Sequence, residues 1–150
     1  MGQDRAVHRH WLEVRSDQDG NPTHPVANGE DRVYEFTIPD GSAGSYWYHP
    51  HPHGHTAAQV YRGLAGAFLV RPKSDPLPSE LGDTTLFIST ISLNADGTIA
   101  ENTIADKMNG REGDYVLVNG AKQPILTPAP GTSCRFRPSH TTTRPFPNFA

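Results

Sequence analysis

The sequence predicts an all-β fold, a sandwich or barrel followed by a partial second β unit. Three observations carry this. Gly and Pro number 14 each in 150 residues, which favours turns and short strands over helices. Several short runs alternate apolar and polar residues with period two. A single stretch, Thr56 to Tyr61, suggests a helical turn.

The elements follow in order. Residues 8–14, His-Arg-His-Trp-Leu-Glu-Val, alternate as a strand. Residues 15–31 hold Asp17, Asp19, Gly20, Asn21, Pro22, Pro25, Asn28 and Gly29, which is loop chemistry. Arg32 to Ile38 alternates cleanly and predicts a half-buried strand. Pro39 to Gly44 is a turn, and Tyr46 to His49 resumes as a strand. Gly66 to Val70 reads as a buried strand that Arg71-Pro72 ends. Thr84 to Ser89 opens a new β region, and Asp114 to Val118 enters a tight turn at Asn119-Gly120. From Pro138 the periodicity fails, and a disordered tail is expected.

Composition narrows the function classes. Hydrophobic residues make up 35% and mean hydropathy is −0.59, so a compact core is expected over part of the chain only. Thirteen basic and 16 acidic residues leave a net charge of −3. That points to neither nucleic acid nor an anionic membrane as partner. No apolar stretch approaches a membrane span, and no secretory leader is legible in the opening residues. The single cysteine, Cys134, rules out an internal disulfide.

Histidine is the outlying residue type. There are eight, and His49, His51, His53 and His55 fall within seven residues. Along a strand, residues i and i+2 share a face, so His-x-His places two imidazoles side by side, roughly 7 Å apart at the backbone. Two such units occur, His8-Arg9-His10 and His49-Pro50-His51, and two hairpin-related strands could bring all four rings together. Neutral imidazole suits copper and zinc. Pro50 and Pro52 stiffen the backbone between rings and imply a strand end.

A lone histidine is ordinarily a surface or satisfied core residue, and a His-rich tract can pick up metal adventitiously. This run is instead embedded in Tyr46-Trp47-Tyr48, and a second His-x-His lies upstream. A ligand role is therefore favoured for His49 and His51. His53 and His55 continue the alternation and rank behind them, as further ligands or supporting groups. His24 and His140 are read as loop residues outside the site. A zinc-assisted hydrolase needs an acidic base near the metal, and no Asp or Glu lies between Ser42 and Val70.

At these residues the chain resembles the N-terminal part of a multicopper oxidase of the bacterial laccase-like kind. Trp47-Tyr48-His49-Pro50-His51-Pro52-His53-Gly54 resembles the family's second His-x-His motif, and Gln59 to Gly66 the segment that follows it. His8-Arg9-His10-Trp11-Leu12-Glu13-Val14 resembles the first motif, usually His-Trp-His-Gly followed by Leu. Gly113 to Gly120, then Pro130-Gly131 and Arg135-Phe136-Arg137, resemble the opening of the second domain.

The resemblance implies cupredoxin-like Greek-key β-barrels. Residues 1–72 would form a first domain lacking its N-terminal strands, 73–83 a linker, 84–137 a partial second domain, and 138–150 the disordered tail. It implies a copper oxidoreductase taking electrons from phenols or similar small reductants and passing them to dioxygen. By motif, His8 falls to a type 2 copper, and His10, His49 and His51 to a type 3 pair. The other four cluster histidines and the mononuclear site belong to a last domain that this sequence does not show. A homo-oligomer pooling its His-x-His units is one way to complete the cluster. A non-catalytic copper-binding β module, or an inactive truncated fragment, is the alternative. Members of the family are often exported or periplasmic. Arg9 and Trp11 depart from the motif, and Arg9 is expected to weaken cation binding. Cys134 lacks flanking histidines and is read as structural or incidental.

Overall fold

The computed structural model describes residues 4–142. It is mostly strand with two six-residue α-helices. Contacts divide it into two units that meet in sequence at Glu80 and Leu81, with Tyr61–Gly63 grouped with the second.

The first unit is built on an antiparallel sheet in the order β1-β2-β3. Its strands are β1 (Val7–His10), β2 (Gly44–Pro50) and β3 (Gly66–Val70). The register pairs His8 with His49, Arg9 with Tyr48 and His10 with Trp47. Gly66 faces Tyr48 because the tyrosine ring occupies the space a Cβ would need, with the hydroxyl 2.5 Å from it. Just ahead of β1, Ala6 is fully buried, and its carbonyl accepts from the His51 N–H at 2.6 Å. That bond carries the β1/β2 pairing one step past Pro50.

Helix α1 (Thr56–Tyr61) forms where the sequence suggests a helical turn. The Thr56 hydroxyl donates to the Pro52 carbonyl at 3.0 Å. Gly63, at φ 90, ends the helix, and the Leu64 N–H reaches back to the Gln59 carbonyl. Gln59 is buried and donates to the Asp4 carbonyl at 2.9 Å.

Two expectations fail here for physical reasons. Arg32 to Ile38 forms no regular element and no ladder with any described residue. Tyr34 and Phe36 turn inward as the alternation predicts, while Val33 is 80% exposed. Alternation reports which side faces the core, and a strand also needs a neighbour. The strand predicted over residues 8–14 stops at His10, because Trp11 sits at φ 61 in the left-handed region.

The second unit is a mixed sheet in the order β6-β5-β4-β7. It comprises β4 (Gly82–Ile91), β5 (Tyr115–Val118), β6 (Ala121–Lys122) and β7 (Cys134–His140). Asn119 and Gly120 have φ of 51° and 79°, the paired positive values of a primed two-residue hairpin turn. The Asn119 side chain then continues the ladder along β4. Its Oδ1 accepts from the Phe87 N–H and its Nδ2 donates to the Thr85 carbonyl.

β7 runs parallel to β4 and reaches His140, so Pro138 to His140 are paired with Leu86 to Ile88 rather than disordered. β7 is the end strand of this sheet, where proline costs no ladder donor. The rest of the expected tail, residues 143–150, lies outside the described residues. His140, read as a loop residue, therefore stands in a strand.

Helix α2 (Ile104–Asn109) was not legible. It starts with a reciprocal cap: Thr103 Oγ1 accepts from the Asp106 N–H, and Asp106 Oδ2 accepts from the Thr103 N–H. Ile104 and Met108 are 78% and 79% exposed. The helix buries no apolar face, so periodicity could not reveal it.

Candidate metal centre

Pairing of β1 with β2, together with period-two alternation, puts His8, His10, Trp47 and His49 on one face of the sheet. His51 joins them through its bond to Ala6. The four imidazoles form one connected cluster, with His8 and His49 each touching the other three. Ring centroids lie 4.9 Å apart for His8–His10, 5.3 Å for His8–His51, 5.0 Å for His10–His49 and 5.4 Å for His49–His51. The two His-x-His units thus meet as their spacing suggests.

The ring nitrogens are sorted by their partners. His8 Nδ1–H donates to Asp19 Oδ2 at 2.5 Å. His49 Nδ1–H donates to the Pro50 carbonyl at 2.8 Å. In their neutral form both rings therefore present Nε2 as the ligating nitrogen. His10 Nε2 and His49 Nε2 face each other at 2.8 Å, a separation at which at most one can carry a proton. His51 Nδ1 is buried with no hydrogen-bond partner.

Electrostatics favours the neutral form of His10 and His49. Burial lowers the pKa of His10, and the neighbouring His49, His8 and His51 lower it further. Burial likewise lowers that of His49, against a smaller opposing effect of its bond to Pro50. Neutral imidazole is the form that binds a metal.

Asp19 is the functional residue that sequence reading missed, because an Asp in a Gly/Asn/Pro-rich loop reads as turn chemistry. Its placement depends on Gly20. A Cβ on Gly20 would lie 2.3 Å from the Val7 carbonyl carbon, so only glycine lets the loop press against β1. Asp19 also answers the expectation about Arg9. The Arg9 guanidinium contacts Asp19 Oδ1 at 3.2 Å and the Gln18 carbonyl at 3.3 Å. It lies 5.0 Å and 4.6 Å from the ring centroids of Tyr34 and Phe36. Its charge is compensated by a carboxylate and two π faces.

His53 and His55 are exposed in the turn before α1, where Gly54 at φ 75 redirects the chain. The strand alternation does not carry them to the cluster. His24 is exposed in the loop after Gly20. Cys134 is a free thiol in β7, with Thr84 Oγ1 at 3.6 Å.

The donor set fits a copper-type site: four imidazoles, two of them oriented by hydrogen bonds, with one orphaned buried nitrogen. Among the described residues, no three His, Cys, Asp or Glu side chains gather tightly enough to hold an ion by themselves. The cluster is an array of histidine pairs.

An all-β chain bearing paired His-x-His strands defines a class, and comparison with known proteins gives the family. The family model described as Multicopper oxidase matches residues 1–75. The chain belongs to the multicopper oxidase family, whose cupredoxin-like all-β fold it shares and whose implied cofactor is copper. It is 35% identical over 136 residues to the multicopper oxidase mco of Staphylococcus haemolyticus (strain JCSC1435), covering 85% of this chain and 28% of that one. A solved multicopper oxidase from Campylobacter jejuni, described as a metallo-oxidase, is 46% identical with a TM-score of 0.78. That match covers 83% of this chain and 26% of the solved one. The cell division protein FtsP of Escherichia coli (strain K12) is 37% identical over 120 residues, covering 77% of this chain and 25% of its own length. The chain thus spans little more than a quarter of the relatives it matches.

Proposed function

We propose that His8, His10, His49 and His51 form half of a trinuclear copper cluster in a laccase-like oxidoreductase. His8 serves the type 2 copper, and His10, His49 and His51 serve the type 3 pair. Phenols or similar small reductants are the electron source and dioxygen the acceptor. When bound, copper supplies the one-electron chemistry that links them. The observation that carries this reading is the convergence of four imidazoles on one sheet face, with the Nδ1 atoms of His8 and His49 already engaged.

The chain's own residues prepare the site. Asp19 fixes the tautomer and plane of His8 and balances Arg9. The Pro50 carbonyl does the same for His49. Burial keeps His10 and His49 unprotonated at neutral pH. A second set of His-x-His units completes the cluster, and another copy of this chain is one source of it.

The test is an oxygen electrode with a phenolic substrate, run beside a copper assay and a mass measurement. Copper-dependent oxygen uptake is expected, lost when His49 and His51 are both changed to Ala. A double variant as fast as the parent would sink the proposal.

Two observations favour a second reading, a copper-binding β module without turnover. No described group of three ligands stands complete, and several relatives are named for cell division rather than oxidation. Copper uptake with no oxygen consumption supports this reading over the first.

A further inference from the structure

Each ring of the cluster needs something to fix its plane. His8 has Asp19 and His49 has the Pro50 carbonyl. Among the described residues, His10 has no polar contact on its ring besides His49 itself. Trp47 lies directly across the ladder from it. The two rings stack at 4.2 Å between centroids, with planes 5° apart. The same indole stacks on His49 at 4.8 Å and 28°, and His10 and His49 are themselves inclined by 28°. One indole face therefore touches both imidazoles whose Nε2 atoms meet at 2.8 Å.

We propose that Trp47 is the positioning residue of the His10–His49 pair, setting the plane of both rings by stacking where His10 has no orienting hydrogen bond. Its bearing on copper rests on the function proposed above, but the orientation it imposes is a property of the metal-free chain. An aromatic slab suits this task. It restricts the tilt of a neutral ring without competing for its nitrogens, as a carboxylate or carbonyl would. A polar residue at position 47 would cap the nitrogen the metal needs, and an aliphatic one would let the ring rotate.

The test uses the full chain and four variants, Trp47→Phe, Trp47→Leu, His10→Ala and the double variant His10→Ala with Trp47→Leu. Two readouts are taken: the ring-current shift of the His10 ring protons without metal, and Cu(II) affinity by chelator competition. The His10 protons should be shifted upfield in the parent, largely retain that shift in Trp47→Phe, and lose it in Trp47→Leu. Cu(II) affinity should fall about tenfold in Trp47→Leu and recover mostly in Trp47→Phe. On a His10→Ala background, the leucine change should alter affinity less than about twofold, because the two side chains act as one unit. An equal loss with and without His10 would mark Trp47 as merely structural and overturn the proposal. So would parent-like His10 shifts in Trp47→Leu. If that variant does not fold, the parent decides: His10 protons at unshifted positions overturn the proposal. A parent that binds no copper overturns the proposed function, while the shifts still judge Trp47.

Discussion

Asp19 accepts three hydrogen bonds: from the His8 ring, the Arg9 backbone N–H and the Arg9 guanidinium. No neutral side chain replaces it fully. Asp19→Asn keeps the shape but leaves Arg9 unbalanced and offers an amide to His8. Copper affinity should drop by about 10- to 100-fold, as for other groups that orient a ligand from behind, read by competition titration. At the same scale, the lowered pKa values of His10 and His49 set a pH dependence. Below the ordinary value of 6.5, the unfolded chain takes up protons that these native rings refuse. Unfolding is then favoured, so stability falls as pH drops from 6.5 toward the depressed native values. Denaturant midpoints should be lower near about pH 5 than at neutrality, and His10→Ala should flatten the difference. The reverse trend would count against the buried neutral rings.

Among the elements, β1 depends most on its surroundings. Gly20 packs against its backbone, so Gly20→Ala forces the loop outward and carries Asp19 away from His8. A loss of roughly 1–3 kcal/mol is expected, with copper affinity falling as in Asp19→Asn; unchanged thermal and copper titrations would refute it. Trp11 ends the strand in the left-handed region and is 82% exposed. Trp11→Gly should stabilise by up to about 1 kcal/mol, measured by chemical denaturation. What sequence could see of these elements follows from what fixes them. β2, β3, β5 and α1 are encoded locally by alternation, turn residues or short spacing. The end of β7 depends on a strand some 50 residues away and on its edge position, so Pro138 misled. α2 rests on a Thr103–Asp106 cap and not on an apolar face. Arg32 to Ile38 has the strand pattern without a described partner. In the site, the two His-x-His units were legible because spacing alone orients them. Asp19 and the Trp47 stack were not, since a loop closure and a cross-strand register create them.

Taken as a molecule of two units, the chain has two separate acid sensitivities. The histidine cluster serves the first unit. In the second, Asp83 accepts from both Arg135 and Arg137, at 2.8 Å and 2.7 Å. These bonds hold its carboxyl well below the usual carboxylate range. A carboxyl with a depressed native pKa stabilises above its unfolded value of 3.8 and loses that contribution as pH falls below it. Acid titration followed by circular dichroism and histidine NMR should therefore show two windows, one beginning near 6.5 and one below 3.8. Asp83→Asn should shrink the lower window and leave the upper one in place, the remainder coming from Asp17 and Asp96, which are also held below the usual carboxylate range. A single shared transition, unmoved by that change, would contradict this account.

The unladdered stretch from Arg32 to Ile38 has a consequence for how the protein behaves in bulk. Its described backbone contacts amount to one bond, from the Glu35 N–H to the Gln18 side chain, and Val33 stands 80% exposed beside it. Amides without a described partner, on a segment with the alternation of a strand, invite strand addition between molecules. Concentrated solutions should therefore turn cloudy faster than dilute ones. Val33→Lys should lengthen the lag in a light-scattering time course, and an unaltered lag would exonerate this edge.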